Sequence, residues 1–167
     1  MTQLALIPRT ASEVDSTDAQ CTPRPLALAL GRFDLDVCSN PRSHILADRS
    51  LMLENGDDGL THTWDRPDGL PALVFCNKPY SYPDPWCERL RFHRGEWVAL
   101  PKFDPTTKWW RNLMAPRPWW APFRQRLKFE KPGNVGSADF VSALVWTRGW
   151  EPSREVRAML WAPRRER

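Results

Sequence analysis

Residues 70–81 read LPALVFCNKPYS, and the way this stretch stops decides how the rest of the chain is read. Leu70–Cys76 is a short apolar run that ends abruptly at Asn77-Lys78-Pro79-Tyr80. An apolar run of this length, bounded by polar residues and proline, predicts a strand buried on both faces, as parallel sheets require. Upstream, FDLDVCSN at 33–40 predicts a second strand over Phe33–Cys38, with polar residues at its end. The text from Thr22 to its start predicts a short helix closed near Gly31. Downstream, Asp84–His93 suits a helix, and GEWVAL at 95–100 suits another buried strand stopped by Pro101. Strands alternating with helical or irregular connections make an α/β fold with a mostly parallel sheet. Arg126–Lys131 and Phe140–Thr147 predict a terminal pair of strands. The loop between them is too short for a parallel crossover, so the last strand is expected antiparallel.

The 167 residues suit one domain with a single core, and no internal repeat divides them. Three stretches differ in character: a polar, unpatterned arm at 1–21, the domain at 22–150, and a basic tail at 151–167 with helical character from Glu151. Seventeen prolines predict short elements, because proline fixes φ and removes a donor. Residues 40–70 accordingly read as turns, and 104–126 as irregular with one helical turn after Pro105. Ten tryptophans have two possible uses: filling the core of a small protein, or lining a cleft for a base or another flat ligand.

The net charge of +4 conceals a division. Residues 1–85 hold 7 Lys and Arg against 12 Asp and Glu, a balance of −5; residues 86–167 hold 17 against 8, a balance of +9. A basic half suits a polyanion, nucleic acid above all. Arg124, Arg126 and Lys128, interleaved with aromatics, are the candidate contacts to its phosphates. Cys21, Cys38, Cys76 and Cys87 form no CxxC pair, and His44, His62 and His93 lack ligand spacing, so no zinc site is expected. Unpaired thiols in apolar runs suit a reducing compartment. No stretch approaches the roughly 18 apolar residues a membrane span needs, and no signal pattern opens the chain. The expectation is a cytoplasmic protein of unspecified oligomeric state.

In open α/β sheets ligands sit beyond the carboxyl ends of the strands. Two strands here end in suitable residues, Asp36–Ser39 and Asn77–Tyr80. At the second, an Asn side chain stands at a pocket rim, Pro79 stiffens the turn, and the Tyr80 ring faces the same opening. Such a rim can hold an amino group borne on a flat ring. The Asn oxygen and a backbone carbonyl accept its two hydrogens while the aromatic stacks on the ring. The same tetrapeptide also reads as a plain strand-to-loop turn.

Asn77-Lys78-Pro79-Tyr80 resembles the D/N-P-P-Y/F motif of amino-nitrogen methyltransferases that use S-adenosylmethionine. The surrounding text resembles, more narrowly, the compact phage-type Dam DNA adenine methyltransferases. Thr22-Pro23, FDLDVCSN at 33–40, DGL at 58–60 with Trp64, VFCNKPYS at 74–81 with Trp86, and FVSALVWTRG at 140–149 stand in that family's order. The resemblance implies a compact Rossmann-like methyltransferase fold that moves a methyl group onto N6 of adenine in DNA. The target base would be flipped out of the stack to be reached. It implies that Asn77, Lys78, Pro79 and Tyr80 hold the base, and that Thr22, Pro23, Asp36, Cys38 and Ser39 lie at the cofactor. Asp58, with Asp57, could accept from the cofactor's ribose, although a solvated turn is the better reading of that pair. For a phage-encoded protein the compartment would be the cytoplasm of the bacterial host. Two departures stand out: Lys78 replaces the motif's first proline, and the cofactor strand lacks a Gly-rich loop, as this family tends to. Lys78 keeps open a protein with the fold and without the reaction, and an Asn-first motif also suits methylation of RNA or of a glutamine side chain.

Overall fold

The computed structural model describes residues 20–131, 134–137 and 140–165. Along the chain it forms α1 (Arg24–Leu30), β1 (Arg32–Ser39), β2 (Leu46–Met52), β3 (Val74–Cys76), α2 (Asp84–Phe92), β4 (Trp97–Ala99) and α3 (Lys108–Met114). β5 (Trp119–Pro122), β6 (Lys128–Lys131), β7 (Asn134–Ser137), β8 (Ala143–Trp146), α4 (Arg154–Met159) and β9 (Arg164–Arg165) follow. Seven strands build one sheet in the order β2-β1-β3-β4-β8-β5-β9. The first four are mutually parallel, and β8 enters antiparallel between β4 and β5. The α/β class therefore matches the sequence expectation, and the sheet is mixed, its first four strands parallel and its last three antiparallel to their neighbours.

Each parallel strand forms where the apolar text is densest. β3 (VFC) and β4 (WVA) are buried throughout, so their side chains feed both faces of the sheet. One face packs Leu35, Val37, Val74, Cys76 and Trp97 under Trp86 and Leu90 of α2 and Trp110 and Leu113 of α3. The other packs Phe33, Phe75, Val98 and Leu144 under Leu26 and Leu30 of α1, Val156 of α4 and Phe129 of β6. Six of the ten tryptophans are buried in these layers. Most of the tryptophan excess is therefore core.

Three elements depart from the sequence expectation. β2 lies in the stretch read as turns; it is an edge strand, LADRSLM, with only Leu51 buried, so it needs no apolar run to be stable. β5 (WWAP) lies in the stretch read as irregular and owes its place to pairing with β8, Trp120 opposite Val145. The expected terminal strand pair does not form: β6 pairs with β7 in a separate two-stranded sheet, while β8 joins the main one. The apolar pattern of 140–147 named a buried strand, but not its partner. The segment read as a basic tail also enters the body, with Val156 and Leu160 buried. Of the arm at 1–21, only Gln20 and Cys21 lie among the described residues; both are buried, and Cys21 bridges to Glu130.

The strand order turns the charge division of the sequence into a spatial one. β2, β1 and β3 come from the acidic first half, and β4, β8, β5 and β9 from the basic second half. One connection is unusually short: the return from β1 to its parallel neighbour β2 spans only residues 40–45. Parallel neighbours ordinarily need about a dozen residues or more. Here an extended strap suffices, held by Asn40, which accepts from Arg42 N at 2.9 Å, and by Ser43, which donates to Asp36.

Candidate functional site

The carboxyl ends of β1, β3 and β4 open on one rim, and residues 20–22 cross it. Asn77, the first residue beyond β3, is its hub. Its amide nitrogen donates to the Gln20 carbonyl at 3.3 Å and to the Thr22 hydroxyl at 3.4 Å, and its Oδ1 accepts from the Tyr80 hydroxyl at 3.1 Å. Three contacts from three directions leave the amide one orientation. A carbonyl oxygen has two lone pairs, so Oδ1 keeps one for another donor. The Tyr80 hydroxyl also reaches the Leu100 carbonyl at 3.4 Å, which ties the end of β3 to that of β4.

Tyr80 differs from the open stacking surface the sequence suggests. Its ring meets Phe140 edge-on at 4.7 Å and Phe129 at 6.1 Å, between the start of β8 and strand β6. Pro79 is buried and holds the turn.

Asp36, on the adjacent strand β1, is 2 % exposed. Its carboxylate accepts from Cys38 N at 3.3 Å and from Ser43 Oγ at 3.2 Å, and Ser39 donates to it as well. Burial nevertheless dominates, pushing its pKa from 3.8 up to about 6. No cation pairs with it among the described residues. Cys38 and Ser39 thus serve at this site chiefly by supporting Asp36.

Lys78 is the surprise of the tetrapeptide. It is 2 % exposed, and its Nζ has no hydrogen-bond partner among the described residues. The amine lies 4.5 Å from the Trp109 ring centroid and 5.7 Å from that of Tyr80, and burial pushes its pKa down. The buried thiols of Cys76 and Cys87 lie near it, both pushed upward by burial, Cys87 to about 11. The side chain runs into the layer under α3 and away from solvent phosphates.

Thr22 touches Asn77 directly, and Pro23 starts α1. Asp58 is brought beside β1 because Gly59 packs where a Cβ would stand 2.0 Å from the Val37 carbonyl. Its carboxylate, however, closes its own turn by accepting from Leu60 N at 2.9 Å, and Asp57 pairs with His62 at 3.4 Å. The turn reading of that pair accounts for these bonds. Arg124 is engaged elsewhere, donating to the Leu160 carbonyl at 2.8 Å and stacking on Trp161. Arg126 and Lys128 are exposed on the approach to Phe129, hence near Tyr80.

Sequence reasoning missed Gln20, Trp109 and Ser142. Gln20 Oε1 and Ser142 Oγ are buried without a partner among the described residues, Gln20 beside Asn77 and Ser142 next to the start of β8. No local pattern marks them, since each reaches its place through long-range pairing. Comparison with protein-family models, with curated proteins and with solved structures finds no match.

Proposed function

We propose that the chain transfers a methyl group from S-adenosylmethionine to N6 of adenine in DNA, on a Rossmann-like methyltransferase fold. The observation that carries this reading is Asn77: its amide is oriented by three contacts, its oxygen accepts only from Tyr80 among the described residues, and it stands at a strand end beside an aromatic ring. An exocyclic amine donating to that oxygen and to the Lys78 carbonyl would turn its lone pair away from both, toward a methyl donor. Preorganised acceptors of this kind favour the reacting geometry without reorganising during the step. The basic half of the sheet supports a polyanionic substrate.

The residues at the β1 end fit the donor molecule. Its sulfonium and ammonium groups and ribose hydroxyls call for acceptors, and the rim offers the Asp36 carboxylate, uncompensated by any described cation, and the unpartnered Gln20 Oε1. Asp36 and Gln20 would hold it, with Thr22 and Ser39 beside them; when bound, it supplies the electrophilic methyl group. Two assays test the proposal: calorimetry with S-adenosylmethionine, and methyl transfer to DNA carrying every short sequence context. Absence of both binding and transfer would overturn it.

Lys78 favours a second reading, a binding protein that keeps the pocket and not the reaction. A buried, unpartnered amine under the Tyr80 ring is an uncompensated group that the motif's usual proline would not introduce. Lys78→Pro separates the two readings. A working enzyme tolerates it, because the carbonyl acceptor remains, whereas wild type and variant both bind DNA without methylating it in the second case.

A further inference from the structure

At the far end of the sheet from Asp36, α3 and β5 border an open cavity of about 460 Å³. This lies within the roughly 300–1,000 Å³ of small-ligand sites. Its walls are Trp110, Met114 and Trp120, with the guanidinium-bearing Arg111 and Arg117 alongside. Arg164 of β9 adds a third guanidinium, 5.9 Å from the Trp120 ring centroid. Among the described residues no carboxylate pairs with any of the three arginines. The Trp120 indole N–H is buried with no acceptor among the described residues. The lining therefore combines flat apolar walls with side-chain donors and no carboxylate.

Arg117 carries a further mark. Its φ of 56° lies in the left-handed region, and it is the only non-glycine with positive φ among the described residues. Pro116 and Pro118 bracket it, fixing the turn on both sides, and its N–H donates to the Met114 carbonyl at 2.9 Å. Holding a long side chain in this conformation costs about 1 kcal/mol or more, which glycine would avoid. The turn thus keeps an arginine at the cavity where a glycine would be the unstrained choice.

We propose that this cavity is a second binding site, for a nucleoside phosphate, with the phosphate on Arg111 and Arg117 and the base against the half-buried Trp120. Guanidinium forks match phosphate oxygens in pairs, and indole rings stack on any base, so the site selects the class and not the base. The same chemistry is offered by a free nucleotide and by one unit of a nucleic-acid strand. The proposal does not rest on methyl transfer at Asn77.

Calorimetry on the full chain with thymidine monophosphate tests it, because thymine lacks the exocyclic amine that the Asn77 rim would accept. Binding is expected, with thymidine and inorganic phosphate each at least tenfold weaker. Arg117→Gly should weaken it at least tenfold while leaving Tm unchanged or raised, and Asn77→Ala should leave it unaltered. A short end-blocked single-stranded oligothymidylate that binds more tightly than the monophosphate identifies a strand as the source; the reverse order identifies a free nucleotide. No binding of either, equal binding by Arg117→Gly, inorganic phosphate binding as tightly as the nucleotide, or a preference for oligoglutamate would each overturn the proposal.

Discussion

At the ends of β1 and β3 the polar groups are few and locked: buried Asp36 is held by Cys38, Ser39 and Ser43, and half-buried Asn77 by Gln20, Thr22 and Tyr80. Around α3 and β5 they are exposed guanidiniums beside tryptophan rings, without carboxylate partners among the described residues. The first arrangement fixes direction, which chemistry at a single atom needs. The second supplies charge and flat surface, which suit ligands recognised by class. On the proposed function, polar groups of the acidic half orient and guanidiniums of the basic half hold charge, at different strands of one sheet.

The sharpest way to break that contrast is at Asn77. Asn77→Ala should lower methyl transfer by roughly 10²–10³, while the Tm increase produced by S-adenosylmethionine remains. Asn77→Asp, which keeps an acceptor for the amine, should retain far more of the rate. Equal loss in both would mean that Asn77 acts by tying Gln20 and Thr22 to the rim and not as an acceptor.

A smaller effect is expected at Asp36. Its folded-state pKa of about 6 lies above its unfolded value of 3.8. Its contribution to stability is therefore complete below about pH 4 and is lost as pH rises through 6, a change of about 3 kcal/mol. Urea titrations should show wild type losing stability over this window relative to Asp36→Asn. A cationic ligand draws the carboxyl toward ionisation, so wild-type affinity for S-adenosylmethionine should rise with pH across the same range. Flat affinity would remove Asp36 from the cofactor's site.

Lys78→Met retains the aliphatic stem and removes the unpartnered amine. It should stabilise the protein by about 1–3 kcal/mol at neutral pH. Because burial lowers the folded-state pKa of Lys78, the gap should narrow as pH rises and be smallest above 10.5, where the amine loses its charge in the unfolded state as well. A destabilised variant would mean that the contacts with Trp109 and Tyr80 outweigh desolvation. The smallest effect belongs to Trp120→Phe: ring area is lost, but an unpartnered buried donor goes with it, so stability should change by less than about 1 kcal/mol. Thermal unfolding checks both.

Several elements were legible because each is specified by its own residues. The apolar runs at 33–38, 74–76 and 97–99 are strands, and the polar stops after the first two mark the rim where Asp36 and Asn77 stand. β2 was hidden because this edge strand carries no apolar run, and β5 because its pairing partner, β8, lies about 25 residues away in the chain. The bond from Tyr80 to Asn77 spans three residues and follows from the turn, but those to Gln20 and Thr22 span 57 and 55.

The sequence by itself determined the α/β class, the division of charge and the polar tetrapeptide at the end of β3, since these depend on composition and local period. Tertiary structure alone decided that Lys78 turns inward against Trp109, that β8 inserts between β4 and β5, and that Arg111 and Arg117 share a cavity with Trp120. Those outcomes depend on which distant segments meet. A lysine's direction, a strand's partner and a cavity's walls are set by packing between residues that no local pattern relates.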